Sequence, residues 1–410
     1  MADAALPLVP RPDHVPPERM VDFDFWNVPG SQDDIQLALR QFQQSAPDIF
    51  WSPHNGGHWT VMRSDDIDVM HHDYDRFSYH CYSIPKKPES TPREIPLECD
   101  PPRHTALRKP LTAALLPAVV NRFEPRIRQL AAELIDGFVD RGECEFVSEF
   151  AQVMPICIFL DLVDLPRADR DFLLPITEKV VRGRTAEMRL EGEHDLHDYI
   201  SKVVRERRAK PGDDLMSVIV NLDDIDGRIT EEDAIAYASL VMFGGLDTVS
   251  AQLSQVARYL ARNVEQRRDI LANMWDERFM RGAIEELCRR HGAGSTARLV
   301  TRDMEYKGAR LREGEMVLVL HMMAGLDERS VPDPLTLDFR RSPPVKLQMF
   351  GNGPHTCPGA VLARRELKIF IQEWLSRIPD YEIKPGTQPL SVTGLVSGML
   401  KLELSWPPQT

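Results

Sequence analysis

Several absences bound this chain of 410 residues before any motif is considered. The six cysteines, at 81, 99, 144, 157, 288 and 357, include no Cys-x-x-Cys pair. Such scatter reads as reduced thiols, not as a disulfide frame or a structural zinc site. There is no His-Glu-x-x-His. His71 and His72 are adjacent, so on a helix they would point about 100° apart and cannot chelate together. There is no basic excess either: 50 Lys and Arg against 63 Asp and Glu leave a net charge of −13. That balance argues against a protein that wraps nucleic acid, whose affinity comes from neutralising phosphates. No apolar run approaches the roughly 20 residues needed to span a bilayer. The stretch Met1–Met20 is Pro-rich and fails as a signal or transit peptide. The expectation is a soluble cytoplasmic protein.

Proline maps the organisation. Many of the 32 prolines crowd Pro7–Pro17 and Pro85–Pro102, and none lies between Pro211 and Pro332. A block free of proline and rich in Ala, Leu, Glu and Arg is a run of helices without forced breaks. Val119–Arg141 and Glu178–Lys210 also carry helical periodicity. Strand-like pieces are few: Trp59–Met62, the Glu305–Leu320 stretch with turns at Lys307-Gly308 and Glu313-Gly314, and Leu400–Trp406. With 42% hydrophobic residues and no internal repeat or linker, the chain reads as one mainly helical domain with minor sheets over 1–410, residues 1–20 forming a Pro-rich arm.

The sharpest constellation is Phe350-Gly351-Asn352-Gly353-Pro354-His355-Thr356-Cys357-Pro358-Gly359, followed by Ala360–Trp374 at helical period. Cys357 sits where a helix begins, and amide N–H groups and the helix dipole favour a thiolate there. The glycines let backbone amides approach the sulfur. That environment suits a metal-ligating or nucleophilic sulfur; the ordinary alternative is a buried cysteine in a loop-to-helix turn. A dinucleotide fingerprint is excluded, because position 356 is Thr and no strand–helix crossover surrounds it.

A second feature lies inside Thr230–Asn263, a candidate helix of about 50 Å. Thr230 and Asp233 resemble a capping box. In its middle, Gly244-Gly245-Leu246-Asp247-Thr248 places two glycines where they cost roughly 2 kcal/mol relative to alanine. This predicts a distortion made for something to fit against, the alternative being close helix packing through small residues. Thr248 can bond back to a carbonyl one turn earlier or release it to a water. The third feature, Glu286-Leu287-Cys288-Arg289, puts an acid and a base on one helix face, a pattern common on solvated surfaces.

In this order and spacing, the three features resemble the cytochrome P450 family of haem-thiolate monooxygenases, over nearly the whole chain. The segments Gly244–Val249, Gly325-Leu326-Asp327-Glu328-Arg329, Leu362-Ala363-Arg364-Arg365-Glu366 and Trp374–Asp380 are similar to the bacterial camphor-hydroxylase branch. The resemblance implies a triangular helical prism with small sheets, and haem b between the long helix and the cysteine loop. Cys357 would be the iron ligand, its thiolate promoting O–O cleavage of the co-substrate dioxygen. Phe350 would pack beside the sulfur, and Gly244 would lie over the haem. Glu286, Arg289 and Arg341 would form a buried structural triad, with Arg340 the near neighbour that competes for the role. Asp247 and Thr248 would relay protons. His104, Arg108, Arg298 and His355 would be cationic partners for the propionates.

No flavin or iron–sulfur signature is present, so electrons are expected from a [2Fe-2S] ferredoxin served by an NAD(P)H-dependent reductase. An acidic ferredoxin needs a basic docking patch, for which Arg103, Arg108, Lys109, Lys346, Arg364 and Arg365 are the candidates. A monomer is expected. A hydrogen-peroxide-using peroxygenase would dispense with Asp247 and Thr248, and a non-catalytic haem sensor or carrier would have no use for them. For the substrate, alignment puts Pro92 where the camphor hydroxylase has a ketone-binding tyrosine, with Tyr82 or Ser83 as possible replacements. Phe243 is larger and Gly294 smaller than the relative's residues, while Leu97, Leu240, Leu395 and Val396 keep the lining apolar. Volume is thereby moved within the pocket, which points to a small hydrophobic terpenoid or norisoprenoid of ionone-like size.

Overall fold

The computed structural model describes residues 7–88, 91–182, 186–225 and 227–407. Helices dominate, and the longest, Glu231–Arg262, occupies the middle of the fold. Thr230 caps it by accepting the Asp233 amide at 3.0 Å, and Glu231, Glu232 and Asp233 complement the positive end of its dipole. By length and composition this helix could cross a membrane, contrary to the reading of the sequence. Here it packs among other elements of the fold, including the helices Val153–Leu162, Ala186–Ala209 and Leu215–Val220 and the strand Gly398–Lys401. Its apolarity serves the core.

Helical periodicity over 178–210 resolves into two helices, Arg170–Arg182 and Ala186–Ala209, with 183–185 outside the described residues. Proline proved a weaker breaker than expected: Pro110, Pro125 and Pro175 all lie inside helices. Each of those helices also buries an apolar face, which offsets one lost backbone bond.

The main sheet has five strands in the order Ile49–Ser52, His58–Val61, Met316–Val319, Thr296–Val300 and Phe77–Ser78. The parallel register pairs Val317 with Trp59, and the antiparallel one pairs Val317 with Arg298. This puts Arg298 in a central strand. The helix Ala360–Arg377 buries Trp374 among Phe138, Phe146, Phe150, Phe370, Tyr381 and Trp406, the Phe146–Trp374 rings meeting edge-on at 5.1 Å. That packing anchors the helix that follows the cysteine loop.

Candidate functional site

The cysteine loop is held by its own backbone. The Cys357 amide donates to the Phe350 carbonyl at 2.7 Å, and Gly351 and Gly353 adopt φ of 69° and 65° to close the turn. A Cβ at Gly353 would stand 2.6 Å from the His71 carbonyl, so only glycine fits there. The helix proper begins at Ala360. Burial pushes the Cys357 thiol up; the Gly359 amide, Arg108, Arg364 and the Ala360 amide oppose this without overturning it. The amides at the helix start favour the thiolate, as predicted, and burial opposes them. A bound cation would reverse the upward shift, because a coordinated thiol ionises outright. Arg364 lies 4.3 Å over the Phe350 ring, bracing the loop from one side.

Behind the loop, the Glu286 carboxylate receives Arg289 at 2.8 and 2.9 Å, Arg341 at 3.1 Å and the Asp338 amide at 3.1 Å. Arg289 also donates to the carbonyls of Gly325, Pro334 and Thr336. Arg340 instead pairs with Asp269 at 2.6 Å. The carbonyl of Arg289 would meet a Cβ on Gly325 at 2.5 Å, so the segment Gly325–Arg329 depends on that glycine. Two buried charges are tolerable here because each is hydrogen-bonded on several sides.

The central helix runs unbroken through Gly244-Gly245, so the expected distortion is absent. Thr248 bonds back to the Gly244 carbonyl at 2.8 Å. Close packing does not explain the glycines either. A Cβ at Gly244 or Gly245 would meet nothing within 4 Å, whereas at Gly282 or Gly398 it would strike a neighbour at 2.3 or 2.7 Å. Both glycines are exposed on a helix whose flanks are largely buried. A flat group could lie against this stretch of backbone. Asp247 and Thr248, one turn on, are partly buried.

A third group of side chains gathers around His355 of the cysteine loop. The His355 ring is sandwiched between Tyr79, 3.5 Å away, and His104, 3.8 Å away, and the Arg298 guanidinium sits 3.4 Å from the Tyr79 centroid. Nδ1 and Nε2 of His104, Nε2 of His355 and Nε of Arg298 are buried without a partner among the described residues. Buried donors left open in this way suit an anionic acceptor such as a carboxylate. Burial, then the nearby Arg108, lowers His104 to about 4; burial, then His104, Arg298 and Arg108, holds His355 well below the usual histidine range. Burial and the nearby cations thus bias both imidazoles toward the neutral form, in which each offers one N–H, while Arg108 and Arg298 supply positive charge at this edge. Tyr79, which joins Arg298 to the stack, was missed: no local motif marks a tyrosine whose ring partners lie on two other elements.

One helix ties the parts together. Tyr237 of the central helix donates to the Leu107 carbonyl at 2.6 Å, and the next residue, Arg108, donates to the Thr356 carbonyl beside the cysteine. Backbone open to a flat group, an edge of unpartnered donors and a soft sulfur donor fit a haem, which Cys357 could ligate and His104, Arg108, Arg298 and His355 could hold by its propionates.

The docking and pocket candidates are placed less simply. Arg103 pairs with Asp224 and Asp233, Lys346 with Asp68, Arg364 with Glu285 and Arg365 with Glu124. The patch is therefore largely neutralised by acids from elsewhere in the chain. Lys109 has no such partner among the described residues and lines an open groove with Tyr74, Pro101, Pro102, Thr105 and Ala106. In the pocket set, Pro92 is exposed, and Leu97, Leu240, Phe243, Leu395 and Val396 are partly buried. The hydroxyl of Ser83 is spent on the Pro85 carbonyl at 3.2 Å, and that of Tyr82 on Glu94 at 2.8 Å. Gly294 bridges to Val396, and the Ser295 amide donates to the Leu395 carbonyl at 2.8 Å. The space beside Gly294 is not empty: a Cβ there would lie 3.1 Å from Nε2 of His321. The imidazole takes part of the volume that the glycine was expected to free.

The chain's likenesses agree with this geometry. The sequence profile described as Cytochrome P450 matches residues 159–404. A protein named probable cytochrome P450 127A1, from Sinorhizobium fredii, is 33% identical over 407 residues, 97% of each chain. The steroid C26-monooxygenase of Mycobacterium tuberculosis is 29% identical over 333 residues, 78% of this chain and 88% of that one. The crystal structure of CYP101J2 superposes with a TM-score of 0.88 at 34% identity, covering 98% of this chain and 100% of that one. The chain belongs to the cytochrome P450 family, monooxygenases that hold haem b through a cysteine thiolate and use dioxygen.

Proposed function

We propose that this monooxygenase hydroxylates a small apolar terpenoid or norisoprenoid, with electrons delivered by a [2Fe-2S] ferredoxin that an NAD(P)H-dependent reductase recharges. The observation that carries the reading is the open space over Gly244 and Gly245, one turn before Thr248. Bound haem supplies the activation of dioxygen; the rest falls to the protein. In this reading Cys357 ligates the iron and Phe350 shields the sulfur. His104, Arg108, Arg298 and His355 hold the propionates. Thr248 turns its hydroxyl from the Gly244 carbonyl to hold a water, and Asp247 links that water to bulk solvent, so protons arrive one at a time. Leu97, Leu240, Phe243, Leu395 and Val396 bury an apolar substrate. With the Tyr82 hydroxyl bonded to Glu94, the substrate is oriented by shape more than by a hydrogen bond. Lys109, which pairs with no acid among the described residues, is the leading contact for an acidic ferredoxin.

The test begins with the reduced, CO-bound protein, which should absorb near the wavelength that names the family, a band that Cys357→His should abolish. Camphor and β-ionone are then compared by the spin-state change and by product formed per electron pair consumed. Tight, well-coupled camphor oxidation with no response to β-ionone rejects the substrate assignment. Purification without porphyrin-binding capacity rejects the whole reading.

A further inference from the structure

The strand Met316–Val319 leads into the short helical turn His321–Leu326. Its antiparallel register pairs Val319 with Thr296, and carried two residues past the sheet it brings His321 opposite Gly294. The side chain lies where the register puts it: a Cβ at Gly294 would stand 3.1 Å from Nε2 and 3.9 Å from Cε1 of the imidazole. Any other residue at 294 would cover the ring on that side. Glycine leaves it bare.

Gly294 belongs to a stretch that is fixed from two directions. It bridges to Val396, the Ser295 amide donates to the Leu395 carbonyl at 2.8 Å, and the Ser397 amide donates to the Ala293 carbonyl at 2.8 Å. Gln255 of the central helix, about two turns past Thr248, donates to the Ser397 carbonyl at 2.9 Å. Gln36 donates to Gln255 at 2.6 Å and to the Gly292 carbonyl at 2.8 Å. The stretches 292–295 and 395–397 are thereby tied to each other and to the helix that carries Thr248.

His321 brings a polar group against this apolar stretch. Leu320 and Met322, on either side of it in the chain, pack in the cluster that Leu395 joins. The ring is only 8% exposed, and Nδ1 is buried without a partner among the described residues. Burial, then Arg298, favour its uncharged form, which carries one N–H. One uncharged donor in apolar surroundings suits a ketone or aldehyde oxygen. A carboxylate would bring a buried charge that a neutral ring does not balance.

We propose that His321 is a specificity-determining residue, donating a hydrogen bond from Nε2 past Gly294 to a carbonyl oxygen of the substrate, so that the preferred molecule is an apolar terpenoid or norisoprenoid ketone. The inference rests on the monooxygenase reading of the pocket and narrows its substrate class.

The experiment uses the haem-loaded enzyme, β-ionone, and the β-ionone analogue in which a methylene group replaces the carbonyl oxygen. The analogue keeps the shape and removes the acceptor. Dissociation constants are read from the spin-state change, and wild type should bind the ketone about ten-fold tighter than the analogue. His321→Leu should bring that ratio near one by weakening the ketone alone, with the CO-bound spectrum and the substrate-free haem potential unchanged. His321→Gln, which keeps a donor, should retain most of the preference. The carbonyl stretch of bound, isotope-labelled β-ionone should lie lower in wild type than in His321→Leu, because a hydrogen bond weakens that double bond. Gly294→Ala, which sets a methyl group against Nε2, gives a second reading if His321→Leu folds poorly, and should also lower the ratio. Equal affinity for ketone and analogue in wild type, or a ratio that survives His321→Leu, overturns the anchor and leaves the monooxygenase reading intact. Loss of both affinities in His321→Leu with a shifted haem potential also overturns it, since the imidazole would then serve the propionates. Failure of wild type to bind either molecule overturns the anchor together with the substrate assignment. Absence of the CO-bound thiolate band in wild type would instead overturn the functional reading.

Discussion

Behind the cysteine loop, one carboxylate accepts four hydrogen bonds and the arginine paired with it reaches three further carbonyls. Elsewhere in the site, two imidazoles and a guanidinium sit buried with nitrogens that have no hydrogen-bond partner among the described residues. The first region spends its charges on itself and so fixes the backbone from Gly325 to Asp338. The second leaves donors unspent, a cost a fold bears where another molecule supplies the acceptors. The contrast separates what braces the site from what receives.

The sharpest way to break the contrast is to remove the brace. Glu286→Ala leaves Arg289 and Arg341 without their carboxylate and should cost about 3–5 kcal/mol of stability, read by denaturant unfolding. Arg340→Ala, which gives up an exposed pair with Asp269 and a stack over the Phe279 ring, should move the midpoint far less. Equal losses in the two variants would mean that the network has been misplaced.

Next in size is the proposed proton relay. Asp247→Asn should slow turnover by about a hundred-fold, and Thr248→Ala should hold substrate affinity while diverting electrons to peroxide. Unchanged turnover and coupling in both would remove the pair from the mechanism.

Acid should act on the receiving side. Burial, then Arg298, depresses His321 from the usual 6.5 to about 3, so the folded state keeps it neutral while the unfolded chain takes up a proton. Unfolding is then favoured as pH falls from 6.5 toward 3, at up to about 1.4 kcal/mol per pH unit for this group. Stability measured over that range should fall less steeply in His321→Gln; an unaltered slope would show that other groups set it.

The smallest effect expected is at the surface. Lys109→Glu should slow reduction by ferredoxin a few-fold and flatten its salt dependence, while Arg103→Gln, whose charge two acids already offset, should change it less. Reduction that ignores salt would count against electrostatic docking.

Much of the fold was legible because it is locally specified. The cap at Thr230, the helix after the cysteine and the turn glycines each answer a demand made by neighbouring residues on the backbone. The strand Thr296–Val300 was not legible, since its partners Phe77–Ser78 and Met316–Val319 lie on either side of it in sequence, one of them more than 200 residues away. Its own five residues carry no turn signal and no clean alternation. Glycine spacing announced that Gly244 and Gly245 were unusual, yet only the space around them decided between close packing and an open face.

Residue order alone determined the positions of the cysteine, the helix ends and the paired glycines, because backbone geometry depends on adjacent residues. Tertiary structure decided which charges are spent: Arg103 on Asp224 and Asp233, Tyr82 on Glu94, and the space beside Gly294 on His321. Such meetings cannot be read along the chain, because they depend on how separate elements pack, and packing joins residues according to shape and burial wherever they stand in sequence.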